Sequence, residues 1–105
     1  MPKYFLAPLA ERDLWETWQF IARDNRNAAD RVFDAAHETF GILAASPRIG
    51  RRFSSPDKGI RCWPVTGFKR FQVFYRATAA GIEVLRVYHS ARNLEELSAN
   101  NLRAV

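Results

Sequence analysis

The chain has 105 residues, a length that suits one domain with a single core. Its hydrophobic content of 48% and charged content of 26% are typical of a globular protein and exclude a disordered or fibrous chain. One cysteine and two histidines cannot form a disulfide within the chain or a four-ligand structural zinc site, and no apolar run approaches the ~20 residues of a membrane span. We therefore expect a soluble, cytoplasmic domain that holds no metal ion and no cofactor.

The net charge of +5 is unevenly distributed along the chain. Residues 1–46 contain five basic and seven acidic residues, whereas residues 47–105 contain eleven basic and four acidic ones. Nine of those eleven are arginines, whose planar guanidinium group forms paired hydrogen bonds with carboxylates and phosphates. The basic half therefore predicts binding of phosphates or of an acidic protein segment, and the alternative is a solvated basic surface with no partner.

The first half of the chain is predicted to form a short strand and two helices. Lys3–Ala7 has the length of a strand, and Pro8 favours the start of a helix whose apolar residues recur at helical spacing as far as Ala22. A second helix is expected to begin after Asn27, an N-capping residue, and to end before Ser46. Because only a few residues separate the two helices, they should form an antiparallel hairpin.

The segment 47–59 has the composition of a surface loop, because it is rich in proline, glycine, serine and basic residues. Its Arg48, Arg51 and Arg52 are candidates for recognition of phosphate or of an acidic patch on a target. The alternative is that Gly50 and Arg51 pack under the edge of a sheet and serve only the fold.

After this loop the apolar residues alternate with a period of two, which predicts strands at 60–65, 69–78 and 82–89. These strands are expected to form an antiparallel meander, and the segment at Lys3–Ala7 is expected to complete a four-stranded sheet. The predicted fold is α+β, with the helical hairpin covering one face of the sheet.

Alternation along the central strand predicts two different faces. Phe71, Val73 and Tyr75 should pack against the helices. Arg86 in the last strand is placed on the opposite face, because a buried arginine without a partner is costly. That face is expected to be open and basic, with one exposed aromatic side chain, and its central-strand members are Arg70, Gln72, Phe74 and Arg76.

Specific catalytic motifs are absent from the sequence. Only Tyr88-His89 with Arg92 has acid/base potential, since histidine can move a proton and arginine can stabilise a phosphoryl anion. The alternative is that His89 bonds neighbouring backbone groups at the end of a strand. Cys62 is interpreted as a small buried side chain rather than a catalytic thiol.

Several segments together resemble, in order and spacing, the ParE toxins of the RelE/ParE superfamily, over about residues 4–97. The segments are Leu9–Leu14, Ile21–Asn25, Ala28–Arg31, Ser46–Arg51, Val73–Arg76, Gly81–Val87 and His89–Asn93. Proteins of this family are toxins of toxin–antitoxin modules and are also described as plasmid stabilisation proteins. The resemblance implies one ParE-like domain over 1–105. The spacing of Leu94, Leu97, Leu102 and Val105 predicts a flexible or helical tail at 94–105. The resemblance also implies a ParD-like antitoxin that wraps the toxin, and no direct binding of DNA without that antitoxin.

The superfamily has two functional branches. ParE-type toxins are associated with inhibition of DNA gyrase, whereas RelE-type relatives cleave mRNA on the ribosome. RelE-type enzymes use an arginine where this chain has Gln72, and a tyrosine in the tail close to the position of Ser98. Only their arginine after the last strand has a counterpart here, which is Arg92. The resemblance therefore implies a toxin that inhibits gyrase by binding. A RelE-like endoribonuclease that uses His89 and Arg92 is the alternative, and a member that only pairs with its antitoxin is a third possibility.

The candidate residues for binding the antitoxin or the target are mostly arginines from the basic half. They are Arg51, Arg52, Arg61, Arg70, Gln72, Phe74, Arg76, Arg86 and Arg92.

Overall fold

The computed structural model describes residues 2–53 and 59–89. These residues form two helices and five strands: β1 Lys3–Leu6, α1 Pro8–Ala22, α2 Arg26–Ala45, β2 Arg51–Arg52, β3 Ile60–Val65, β4 Phe68–Ala77 and β5 Gly81–His89. The predicted tail at 94–105 and Arg92 lie outside the described residues. Within the described ranges, neither helix is long and apolar enough to cross a membrane.

The sheet has five strands in the order β1-β5-β4-β3-β2. The predicted antiparallel meander of β3, β4 and β5 is confirmed, and β1 lies parallel to β5. The expectation of four strands is wrong, because Arg51 and Arg52 pair with Cys62 and Arg61 and add β2 at the edge. A strand of two residues carries no alternation of polar and apolar side chains, and its sequence therefore resembled a loop.

Both helices begin where local chemistry favours them. Pro8 occupies the first turn of α1, and Glu11 places a carboxylate near the positive end of the helix dipole. The N-cap of α2 is Asn25, whose side-chain oxygen accepts the backbone N–H of Ala28 at 3.0 Å. The expectation that Asn27 caps this helix is wrong by two residues, since Asn27 lies in its first turn.

The main core lies between the helical hairpin and one face of the sheet. Phe40 and Leu43 of α2 are fully buried there, together with Val73 and Tyr75 of β4. Phe71 packs against the same cluster while remaining partly exposed. The predicted orientation of these three β4 residues toward the helices is therefore confirmed.

The opposite face of the sheet carries a second apolar cluster. Phe74 is only 2% exposed, and the ring of Phe53 contacts it edge-on with 5.0 Å between centroids. The other buried members are Ile60, Cys62, Leu85 and Tyr88. The expectation of an exposed aromatic at Phe74 is wrong, because β3 and β5 place apolar side chains beside it on the same face. Cys62 is buried as predicted, and burial raises the pKa of its thiol.

A β-bulge changes which residues of β5 share a face. Phe74 pairs with Arg86 and Tyr75 pairs with Val84, so Leu85 has no partner of its own in β4. Val84 and Val87 consequently both pack in the main core, although strict alternation would place them on opposite faces. The face of the sheet on which Arg86 lies therefore cannot be inferred by counting residues from Val84.

Arg86 is 9% exposed and forms a buried ion pair with Asp13 of α1. Its Nε donates to one carboxylate oxygen at 2.8 Å and its Nη2 to the other at 3.0 Å. The expectation that Arg86 lies open to an acidic partner is wrong, because a carboxylate 73 residues earlier in the chain satisfies it. The hydrogen bonding of the guanidinium group to the Asp13 carboxylate raises the pKa of Arg86.

Asp13 also binds the sheet directly. β1 pairs with β5 only as far as Val84, and the backbone N–H of Val87, further along β5, donates to the Asp13 carboxylate at 3.0 Å. One carboxylate thus accepts three hydrogen bonds and joins α1 to the strand edge that β1 leaves uncovered.

The turn before β2 is held by the hydroxyl group of Tyr75. This hydroxyl accepts the backbone N–H of Gly50 at 2.9 Å and donates to the carbonyl of Pro47 at 2.7 Å. Burial raises the pKa of the phenol, which keeps its proton available for donation. Glycine is required at position 50, since a Cβ there would lie 2.9 Å from Cζ of Tyr75.

Replacing Asp13 with asparagine should destabilise the fold strongly. The Arg86 guanidinium would remain buried without its counter-charge, and we expect the free energy of unfolding to fall by about 3 kcal/mol or more in urea denaturation. The matched control is Glu16→Gln, which breaks the exposed pair between Arg12 and Glu16 and should cost about 0.5 kcal/mol or less. Equal urea midpoints for the two variants would show that the buried pair does not hold the hairpin on the sheet.

Replacing Tyr75 with phenylalanine should loosen the turn before β2 while keeping the ring in the core. We expect a loss of about 1–3 kcal/mol in unfolding free energy, because the Gly50 N–H and the Pro47 carbonyl lose their shared partner. Amide exchange at Gly50, measured by NMR, should become faster than in the wild-type protein. An unchanged exchange rate at Gly50 would mean that the hydroxyl does not fix this turn.

Candidate functional site

Three exposed arginines lie at or next to the β2 edge of the sheet. We call Arg48, Arg51 and Arg52 the arginine edge; all three side chains are exposed, and the last two form β2. None of the three has an ion pair within the described residues. Guanidinium groups that have no carboxylate partner in the described ranges are suited to pairing with an acidic segment or a phosphate.

The backbone beneath the arginine edge is fixed at several points. Gly50 is tied to Tyr75, and Nη1 of Arg61 donates to the carbonyl of Gly50 at 2.7 Å. Arg61 is therefore partly used in holding the turn. Gly50 is buried against the sheet, which agrees with a structural role for this residue. Arg51 and Arg52 are exposed, which recognition of a target by these residues requires.

The strand that carries two of these arginines has an unpaired side. β2 pairs with β3 through two residues, and no strand in the described ranges lies on its other side. An edge strand presents backbone N–H and C=O groups that can pair with an added extended segment. The arginine edge thus combines charge with backbone hydrogen-bonding groups.

The open basic face predicted from β4 is less available than expected. Arg70 is exposed, but Arg76 pairs with Glu83 at 2.7 Å, and the side-chain amide of Gln72 donates to the carbonyl of Lys69 at 2.9 Å. With Arg86 buried in its pair with Asp13, Arg70 is the one arginine of this face with no ion pair inside the described ranges. The structure therefore does not bring the predicted binding residues together on this face.

His89 lies at the end of β5, beside a cleft of about 750 Å³. Its ring contacts Phe71 edge-on, with 4.9 Å between centroids. The cleft lies between the second half of α1 and β5, and Phe20 and Val87 are among its apolar lining residues. The proposed catalytic partner Arg92 lies outside the described residues, so the structure does not place the two side chains together.

The roles of three residues that shape the sheet and its charge were not predicted from the sequence. Asp13 and Tyr75 position the scaffold, and Glu83 neutralises Arg76. A signal for Asp13 was available, because it shares the helical spacing of the core residues Ala10 and Leu14. A charged residue at that spacing indicates a buried partner. Tyr75 and Glu83 gave no comparable signal.

Comparisons with known proteins agree with this fold. The family model described as the ParE toxin of the type II toxin–antitoxin system, parDE, matches residues 4–94. A solved structure of the chromosomal ParDE TA system from P. aeruginosa is similar, with a TM-score of 0.68 and 18% sequence identity over 85% of this chain and 96% of that chain. Among curated proteins, no sequence matches significantly. Since the family model spans most of its length, the chain belongs to the ParE toxin family of type II toxin–antitoxin systems.

Proposed function

We propose that the protein is a toxin that inhibits DNA gyrase by binding it through the arginine edge. The observation that carries this proposal is the exposure of Arg51 and Arg52 on an edge strand whose backbone is fixed by Tyr75 and Arg61. A fixed backbone limits the entropy lost when the arginines bind. Membership of the ParE toxin family supplies the functional class.

The antitoxin is a ParD-like protein that neutralises the toxin by covering the same edge. Its acidic segment pairs with Arg51 and Arg52, and its extended backbone adds to the free side of β2. The ParDE system of the similar solved structure supports a partner of this kind. Since both partners need the same arginines, binding of the antitoxin excludes binding of the target.

Two side chains favour a toxin that binds over one that cleaves RNA. Gln72 stands where RelE-type relatives have an arginine, and its amide bonds the Lys69 carbonyl. The ring of His89 packs against Phe71. Inhibition by binding needs no proton transfer from either side chain.

The proposal is tested with purified bacterial DNA gyrase and relaxed plasmid. The wild-type protein should block supercoiling, and the variant Arg51→Ala with Arg52→Ala should need at least about tenfold more protein for the same effect, because each charge-assisted hydrogen bond lost is worth ~1.5–3 kcal/mol. The matched control is Arg12→Ala with Arg31→Ala, which removes two exposed arginines from the helical hairpin and should leave inhibition unchanged.

Two results would contradict the proposal in different ways. If the Arg51/Arg52 variant inhibited supercoiling as strongly as the wild-type protein, gyrase would contact the toxin at a surface other than the arginine edge. Undisturbed supercoiling together with cleavage of mRNA by the wild-type protein would replace gyrase inhibition with endoribonuclease activity.

A further inference from the structure

A small apolar pocket lies beside the arginine edge. It has a volume of about 350 Å³ and lies between the turn that follows α2 and the last residue of β4. We call it the turn pocket; its lining residues are Ser46, Pro47, Arg48, Ile49 and Ala77. Ile49 is 41% exposed, so a branched aliphatic side chain of the wall remains in contact with water. A concave apolar surface of this kind can bury a side chain of a partner.

Hydrogen bonds hold the turn that forms the wall of the pocket. The backbone N–H of Ile49 donates to the carbonyl of Ser46 at 3.2 Å, and the hydroxyl group of Tyr75 donates to the carbonyl of Pro47 at 2.7 Å. The same hydroxyl accepts the N–H of Gly50 at 2.9 Å. Because the wall is ordered before a partner arrives, binding there costs little conformational entropy.

The charge at the pocket favours an acidic partner. The side chain of Arg48 lines the pocket, is exposed and forms no ion pair with another described residue. Arg51 and Arg52 follow it on β2 and complete the arginine edge. An acidic segment gains charge-assisted hydrogen bonds from these groups, whereas a basic segment is repelled by them and by the net charge of +5.

The apolar wall separates a protein segment from a nucleic acid as the partner. A sugar–phosphate backbone would pair with the arginines, but it carries no aliphatic side chain that fills a pocket between Pro47, Ile49 and Ala77. A polypeptide supplies both groups, because a carboxylate and an aliphatic side chain can stand at neighbouring positions.

We propose that the turn pocket takes one leucine or isoleucine side chain of the acidic segment of the antitoxin. Carboxylates next to this anchor residue pair with the arginine edge, and Arg48 is the first of them because it lines the pocket itself. The inference rests on the proposed function, since it names the motif that the arginine edge recognises. That motif is one aliphatic residue flanked by acidic residues.

The test is an NMR titration of the wild-type chain with the blocked peptide acetyl-Asp-Glu-Leu-Glu-Asp-amide. The methyl signals of Ile49 should shift as the peptide binds. The same peptide with serine in place of leucine keeps its four carboxylates and should bind about tenfold more weakly, because it buries no aliphatic side chain. The peptide acetyl-Asn-Gln-Leu-Gln-Asn-amide keeps the anchor but loses the charge, and it should also bind more weakly.

Variants separate the pocket from the arginines. Ile49→Ala should weaken binding of the leucine peptide about fivefold and leave binding of the serine peptide unchanged. The matched control is Ile42→Ala, which truncates an isoleucine of α2 that is 40% exposed and does not line the pocket; it should bind both peptides normally. Thermal melting verifies that each variant is folded, and the comparison of the peptides needs only the wild-type chain.

The outcomes distinguish failure of the pocket from failure of the arginine edge. Equal affinity for the leucine and serine peptides, with both weakened by Arg51→Ala with Arg52→Ala, would overturn the inference and leave the arginine edge as a binding site. Equal losses in Ile42→Ala and Ile49→Ala, or no shift at Ile49, would also overturn it. A preference for leucine in a chain whose affinity does not depend on Arg51 and Arg52 would support the pocket and contradict the proposed function.

Discussion

The carboxylate of Asp13 is the point where the helical hairpin and the sheet depend on each other. It accepts the backbone N–H of Val87 and two N–H groups of the Arg86 side chain. Both residues belong to β5, which pairs with β1 only as far as Val84. Neither charge is tolerable in the interior without the other. The position of α1 over β5 is therefore fixed by charge and hydrogen bonding as well as by apolar packing.

The arginines in the second half of the chain have different roles because their surroundings differ. The β5 bulge and Asp13 take Arg86 out of solvent, and Glu83 neutralises Arg76. Tyr75 acts at the other end of the molecule, where its hydroxyl fixes the turn that leads to β2. The arginines that remain exposed on this fixed frame, with no ion pair to another described residue, include those of the arginine edge.

The sequence predicted the parts of the fold that depend on local periodicity. The helical hairpin and the three long strands follow from apolar spacings of 3.6 and 2, and their ends agree with the structure to within two residues. The pairing of Arg86 with Asp13 was not predictable from spacing, because the two residues are 73 positions apart and a bulge reverses the parity of β5. β2 was missed because two adjacent arginines carry no strand pattern. Phe74 was misplaced because its burial depends on apolar side chains of β3 and β5, which alternation along β4 alone does not reveal. The arginine edge was recognised from its composition, but its fixed geometry depends on Tyr75, which gave no separate signal.

A single edge of the sheet is proposed to serve both the target and the antitoxin. Amide hydrogen exchange of the toxin, measured alone and in complex with its antitoxin, tests this claim most directly, because it reports protection residue by residue. We predict slower exchange on binding for the turn at 48–50, for β2 and for β3, with the exposed side of α1 around Trp15 unchanged. Protection confined to the helical hairpin, with β2 exchanging as fast as in the free toxin, would contradict it.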